Sequence, residues 1–575
     1  MGATTLPRIL AAGAGVAGAS DAFGAIALAV LVVYLVALLG LGWLGYKRSS
    51  AGEEDYYLAG RSQGWIVNSL TILATFFSAF ALLGAPGIVY RDGAVFALFA
   101  LNVPLGAVVV YVIGTRIRRI GCARGHVTPG DLVSDYYDDS HALRILVALV
   151  GVLYAIPYVL IQMNAGGIVT KAMFPERENA FELGSTTLAV VTMVYVMVGG
   201  MRSVAWTDVI QGSLLIGGML LAGFAAVVAL GGAGGFLDAV AQLPPEALSA
   251  PGATGAYPPE KMFTSVVFAS IGSMVQPAQW MRYYAARSTN TLRRSALVFG
   301  TVLPFCFLFG VMLVGLGGRA LYPPSVEDGA LLPHATVGSD FDSILVVVLR
   351  EHLPQALGTL GVFFAALICV AVMAASMSTA DSNLHALSAV FTRDVYDRYL
   401  RPGAGERERA WVGRAVIVVS TLAAILLVTI QSESTAFSPY AMIVQMGFLA
   451  IAFSSQLLPI VVDVLFLRRG TRAGALAGLV TGVATLLAFT PFFGMAAAGT
   501  TTGERVLSLV EDVRRNVDLG AFALVGNVVV FVAVSRVTRR PSREKVEAFA
   551  RAAAPVAASP GGDGPPSAAP ASERT

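Results

Sequence analysis

Charge-free stretches long enough to cross a bilayer recur along this chain, and they leave it few folds. Charge-poor segments fall near residues 24–46, 65–90, 94–115, 143–170, 183–201, 207–230, 263–281, 295–317, 356–388, 411–430, 438–466, 473–495 and 519–536, thirteen candidate spans. A helix needs about 20 apolar residues to cross the hydrocarbon core. In lipid every backbone polar group must be bonded internally, so segments of this length are helices. Charged residues make up 13% of the chain, about half the share of an ordinary soluble protein. The sequence reads as an all-α polytopic membrane protein, with the lipid bilayer as its solvent.

Basic residues orient the spans. Loops carrying Lys47/Arg48/Arg61, Arg116/Arg118/Arg119/Arg124, Arg202, Arg282/Arg287/Arg293/Arg294, Arg393/Arg398/Arg401/Arg407/Arg409 and Arg468/Arg469/Arg472 alternate with loops poor in them. The positive-inside rule then places the N-terminus outside and the C-terminus, with Arg536/Arg539/Arg540, in the cytoplasm of a plasma (inner) membrane. The loop with Arg505, Arg514 and Arg515 is basic where an external loop is expected, and is the weak point of this topology. Residues 1–22 read as a tail, 23–537 as the membrane domain, and 538–575 as a disordered cytoplasmic tail rich in Pro, Ala, Ser and Gly. Phe341 to Leu353, in a long external loop, reads as a surface helix. Cys122, Cys306 and Cys369 are scattered and form no CxxC, so neither a disulfide nor a zinc site is expected.

Three segments depart from what lipid alone would select. In the ninth span, Ala375, Ser378 and Thr379 stand at i, i+3 and i+4 on one helical face. One carbonyl and two hydroxyls there offer three neutral oxygens to a hard cation such as Na⁺. The alternative is hydroxyls bonded back to the carbonyl four residues earlier. The second span carries Thr71, Thr75 and Ser78, with Gly84, Pro86 and Gly87 weakening its outer end. The seventh reads Ser270-Ile271-Gly272-Ser273-Met274-Val275-Gln276-Pro277. Unwound backbone at bilayer depth survives only where it is buried in protein or lines a cavity. Two interrupted spans, five spans apart, point to two inverted repeats with solute and ion held between discontinuous helices.

These residues together resemble the sodium:solute symporter family. The resemblance rests on Gly60-Arg61-Ser62 before the second span and on Gly84-Ala85-Pro86-Gly87 at its end. It continues through Tyr195, Gly199-Gly200 and Ala205-Trp206-Thr207-Asp208-Val209-Ile210-Gln211 to Gln276-Pro277 with Arg282. It ends on Met377-Ser378-Thr379-Ala380-Asp381-Ser382 with Arg393-Asp394-Val395-Tyr396 downstream. The resemblance implies a leucine-transporter-like fold of ten core helices in two inverted repeats, with extra helices at the ends. It implies sodium-coupled symport of a small organic solute, such as a monocarboxylate or amino acid. It implies a Na⁺ site made by the carbonyls of Ala74 and Phe77 with Ala375, Ser378 and Thr379. Proline permeases carry an acidic residue at the position held here by Phe76, and aromatics where Ala269 and Ser273 stand, which argues against proline as the solute.

Thr75, Ser78, Gln162, Ser273, Gln276 and Gln445 are candidate solute-pocket groups, the three amides by virtue of membrane depth. Each amide serves equally well as an interhelical hydrogen bond. Asp208 is a candidate for receiving the ion on its way to the cytoplasm, or a helix-start charge satisfied by the dipole. A membrane sensor reusing the same fold is the alternative function. No nucleophile–base pair or metal cluster is visible, so no enzyme, no cofactor beyond Na⁺ as coupling ion, and no nucleic-acid partner are expected. The oligomeric state and the solute are not encoded legibly.

Overall fold

In the computed structural model the described residues are 6–48, 52–327, 330–338, 340–433, 443–489, 508, 511 and 513–554. Their helices are α1 (Leu6–Lys47), α2 (Trp65–Phe76), α3 (Ala85–Asp92), α4 (Ala94–Arg124), α5 (His141–Met173) and α6 (Ala180–Ala229). The chain continues with α7 (Pro259–Val275), α8 (Pro277–Ala285), α9 (Thr289–Leu321), α10 (Ile344–Leu357), α11 (Thr359–Val390) and α12 (Glu406–Glu433). It closes with α13 (Ile443–Ser455), α14 (Leu458–Leu467), α15 (Arg472–Ala488), α16 (Leu519–Val537) and α17 (Arg543–Ala553).

Eight of these helices are long and apolar enough to cross a membrane unaided, and two bent pairs, α2/α3 and α13/α14, do so jointly. At 50 residues α6 is too long for one crossing, and it kinks at Gly200 (φ 56°, ψ −153°). A left-handed φ favours glycine, and a β-carbon at Gly200 would lie 2.6 Å from the Tyr56 carbonyl oxygen. The fifth and sixth spans are therefore two helices that meet directly at a non-helical glycine, with no loop between them. By length and composition that makes eight to ten spans among the described residues; the thirteen expected from sequence also count α6 twice and add α7/α8 and the 17-residue α15.

The surface helix expected from Phe341 appears as a 3₁₀ turn at Phe341–Ser343 leading into α10. Two expectations change at the ends. α1 begins at Leu6, so a helix occupies much of the expected 1–22 tail. The expected disordered segment from residue 538 contains α17, because Val546, Phe549 and Ala553 share one face and Phe549 is fully buried. Arg505 lies outside the described residues.

Around the interruptions the helices pack in two groups. One comprises α4, the α7/α8 pair and α9, the other α5, α6, α11 and α12, and α2 packs against both, on α9 and on α6. The buried polar residues of the membrane domain lie largely where these groups meet.

Candidate functional site

The second span breaks earlier than its Gly and Pro residues suggest. Helix α2 ends where Phe77 turns extended (φ −88°, ψ 109°), and the chain resumes toward α3 bent by 57°. Pro86 follows the π-helical turn Phe80–Gly84 with which the helix restarts, so it lies beyond the break. The break at Phe77–Ser78 is held by side chains. Ala79 N–H donates to Gln162 Oε1 (3.2 Å), and Phe80 N–H donates to Ser78 Oγ (3.1 Å). Both are orphan donors of a new helix start, satisfied by caps. Gln162 Nε2 in turn donates to the Tyr158 carbonyl at 3.0 Å.

On the α2 side of the break the last carbonyls of the helix lack intrahelical partners. Phe77 N–H bonds to Leu73 O (2.8 Å), and the next carbonyl, Ala74 O, accepts from Ser378 Oγ and Thr379 Oγ1, each at 3.1 Å. Ser378 Oγ also donates to Ala375 O at 2.9 Å. The structure thus gathers Ala74, Ala375, Ser378 and Thr379 within hydrogen-bond reach of one another, and all are buried. Ser378 has one proton to share between the Ala375 carbonyl three residues back and the Ala74 carbonyl at the break, whereas Thr379 crosses to Ala74 O. Phe77 is buried beside them, its ring packed on Phe76 and Phe307. Four neutral oxygens converging on a helix end suit a cation of low charge, because the C-terminal dipole faces it.

The seventh span unwinds at Gln276 (φ −71°, ψ 152°), the extended conformation that a following proline enforces. Gln276 Oε1 accepts from Ala278 N–H (2.8 Å) and so caps α8. Helix α8 then grips the end of α2: Gln279 Nε2 donates to Ile72 O (3.2 Å) and Arg282 Nε to Thr71 O (3.1 Å). Arg282 is fully buried and also reaches Asp208 (Nη2–Oδ2, 3.2 Å), the Ala278 carbonyl (3.0 Å) and Ser382 Oγ. Ser382 Oγ contacts Thr75 Oγ1 (3.1 Å), the Ser378 carbonyl (2.6 Å) and Asp381 Oδ1 (2.9 Å). Tyr195 donates to Asp381 Oδ2 at 2.7 Å. A buried network of one arginine, two aspartates, a tyrosine and two hydroxyls therefore lies one helical turn below the oxygen cluster.

Of the sequence candidates, Ala74, Thr75, Ala375, Ser378, Thr379 and Asp208 fall into this continuous set. Gln162, Ser78 and Gln276 cap the two interruptions. Ser273 bonds back to the Ala269 carbonyl within α7. Gln445 does not join them. It lies in the first turn of α13 and is exposed, while Val444 and Met446 on either side are buried. Gln445 therefore sits on an outward face of α13 rather than at the breaks. Arg282 and Ser382 were not singled out as site residues from sequence. An arginine within an apolar span, two aspartates elsewhere to match it, and a hydroxyl one turn after Ser378 were the available signal.

Above the break, Phe80, Phe96, Phe99, Phe268 and Phe448 form a chain of ring contacts with centroids 5.1–5.9 Å apart. Phe76, at the break, meets Phe299 edge-on at 4.9 Å. The break is thus roofed by aromatic rings and floored by the Arg282 network.

The sequence profile of the Sodium:solute symporter family matches residues 56–482. The chain is 28% identical to the sodium/proline symporter of Escherichia coli K12 over 77% of its length and 84% of that protein's. It is 24% identical to the sodium/pantothenate symporter of Haemophilus influenzae over 76% of its length and 84% of that protein's. Among solved structures, a substrate-bound, outward-open Na⁺-coupled sialic acid symporter superposes with a TM-score of 0.69 at 20% identity. That likeness spans 91% of this chain and all of the other, and carries the fold alone.

Proposed function

The chain belongs to the sodium:solute symporter family, and from that premise we propose that the oxygen cluster between α2 and α11 holds the coupling sodium. The protein is a sodium-coupled symporter of a small organic solute and not an enzyme, with the leucine-transporter architecture of inverted repeats. The observation that carries the site assignment is the pair of α11 hydroxyls on the Ala74 carbonyl at the break of α2. Ala74, Ala375, Ser378 and Thr379 supply four oxygens, and the Phe77 carbonyl, at the turn itself, is the fifth. All five are neutral, so the ion is held by dipoles and can leave again, as a cycling carrier requires. Asp208, one turn below and paired to Arg282, is where the ion exits toward the cytoplasm.

The solute sits at the two interruptions, beside Thr75, Ser78, Gln162, Ser273 and Gln276. Among the described residues no charged side chain stands at either interruption; the charged network lies a turn further in. This favours a small neutral or monocarboxylate solute, bound by helix ends and amides under the aromatic roof. Relatives carry names for proline and pantothenate, and the place where proline permeases have an acid is filled here by the packed ring of Phe76. One Na⁺ descending 100 mV provides about 2.3 kcal/mol, enough for roughly a fifty-fold solute gradient.

The orientation follows the charge pattern, with the N-terminus outside and the C-terminus cytoplasmic in the plasma membrane. It is supported by the gathering of the basic loops at one end of the bundle. There Arg202 pairs with Asp55 (2.5 Å), Arg409 with Glu53 (2.7 Å), and Arg144 with both Asp131 and Asp394 (2.7 and 2.8 Å). The test of the function is sodium-stimulated uptake, in vesicles, of a panel of monocarboxylates, amino acids, pantothenate, sugars and urea. One member whose uptake requires sodium identifies the solute class; no sodium-dependent uptake across the panel, with folded protein, counts against the reading.

A further inference from the structure

Helix α17 lies outside the span matched by the family profile, and its contacts are more specific than a tail requires. Ser542 caps it by accepting from Lys545 N–H (3.3 Å). Its apolar face buries Phe549 completely. That ring lies under the Arg124 guanidinium (4.7 Å), meets Tyr136 edge-on (5.1 Å) and faces His126 (6.4 Å). Arg119 Nη1 bonds to the Ala553 carbonyl (3.1 Å), which is one of the helix's last acceptors. Lys545 pairs with Asp135 (3.2 Å) and approaches Asp139 (3.7 Å).

These partners belong to different bodies. Arg119 and Arg124 are at the cytoplasmic end of α4. That end is fixed to the exit of α8 by Arg118, which donates to the carbonyls of Ala286 (2.7 Å) and Arg287 (2.5 Å). Asp135 and Tyr136 are on the short helix Pro129–Tyr136. That helix is fixed to the other group: Asp131 pairs with Arg144 of α5, and Thr128 Oγ1 donates to Asp394 Oδ1 (3.0 Å) just past α11. The fit leaves no slack, because a β-carbon at Gly130 would lie 2.6 Å from the Asp394 carboxyl. Along the chain Gly125 to Thr128 joins the two bodies at this point, Arg124 pairs with Asp135 across it (Nη2–Oδ1, 2.8 Å), and α17 lies over that joint.

Alternating access in an inverted-repeat carrier is largely rocking of one helix group against the other around a central site. A helix bonded to both groups at their cytoplasmic ends resists that motion. We propose that α17 is a clasp joining the two groups, which holds the inward path shut and sets how readily it opens. The proposal rests on the transporter reading above but not on where sodium binds. The closed arrangement is the one seen here, with Arg282 paired to Asp208 and Glu53 tied to Arg393 and Arg409. Phe549 supplies most of the grip, since its ring is fully buried, whereas the Lys545 pairs are at the surface and contribute little.

A narrow crevice between the groups reports the opening. It is lined by Gly151, Tyr154, Pro277, Asn383, Ala386 and Val390, and Ala386 is 2% exposed. The experiment uses the full chain in nanodiscs, where both faces are accessible and neither sodium nor solute is needed. Cys122, Cys306 and Cys369 are replaced and Ala386→Cys serves as the sole thiol. Phe549→Asp should raise the rate of maleimide labelling at least threefold, and Lys545→Glu by a smaller factor. Arg543→Ala, on the exposed face of α17, should leave it unchanged. Tryptic cleavage at Arg551 independently reports release of the helix. Labelling at the unmodified rate while Arg551 is freely cut overturns the clasp. If Phe549→Asp does not insert, the same comparison made with Lys545→Glu decides it. Loss of sodium-dependent uptake with labelling behaving as stated would instead count against the transport reading alone.

Discussion

Thr379→Ala removes a single oxygen from the cluster and leaves charge and helix length unchanged. Without the ion, the Thr379 hydroxyl donates to Ala74 O at 3.1 Å in a buried site, and losing a neutral hydrogen bond of this kind costs about 1 kcal/mol. With the ion bound, the same oxygen would instead face a cation, an interaction with a charged group worth about 1.5–3 kcal/mol. Only the difference weakens sodium binding. It comes to roughly 1.4 kcal/mol, or about a tenfold rise in the sodium concentration for half-maximal uptake. Because Ser378 also donates to Ala74 O, that carbonyl keeps one partner, so the fold should survive with a small loss of thermal stability. Thr379→Ser restores the oxygen and should return the sodium curve to within about threefold of the parent. The assay is initial solute uptake in proteoliposomes, titrated with sodium at saturating solute. A sodium curve unchanged in Thr379→Ala, alongside reduced thermal stability, would mean that the hydroxyl only stitches α11 to the break, and would refute the reasoning.

Other consequences come from the same geometry. Arg282→Ala strands Asp208 in a buried site and should destabilise the protein by about 3–5 kcal/mol, read as lost monodisperse protein or a large fall in melting temperature; Arg282→Ala paired with Asp208→Asn should recover much of it. Gln162→Leu leaves Ala79 N–H without its cap and should raise the solute KM several-fold while the sodium dependence at saturating solute changes less; a normal KM would remove Gln162 from the solute site. A cysteine near Arg407 should resist an impermeant thiol reagent in intact cells and one near Gly255 should react, and the reverse pattern would invert the topology.

The membrane fold was legible because thirteen apolar stretches admit little else, and because Arg-rich loops alternate with Arg-poor ones. Ser378 and Thr379 were legible because a shared helical face is a property of spacing alone. The break at Gln276 could be read because Pro277 disfavours helical conformation before it and Gly272, Ser273 and Gln276 add to that. The break at Phe77–Ser78 could not be read from local propensity. Neither residue disfavours a helix strongly, and the turn is held by Gln162 on α5, by α8 and by α11, partners distant in sequence. Gly84 and Pro86, which did attract attention, stand past the break. Gln445 was misplaced because depth in the membrane does not say which face of a helix a residue occupies, and here it is the outward one. Composition hid α17: Pro, Ala and Ser dominate the residues C-terminal to it, while three apolar residues at helical spacing suffice to seat it.

Sodium coupling through a bound solute is the centre of the account, and gradient-driven accumulation tests it most directly. Purified protein is reconstituted into vesicles carrying an inward sodium gradient and no other energy source. The solute identified by the uptake panel should rise inside above its external concentration. It should fall back when a sodium ionophore collapses the gradient, and should not accumulate when potassium replaces sodium. Accumulation that persists without a sodium gradient, or solute that only equilibrates in its presence, would contradict the account.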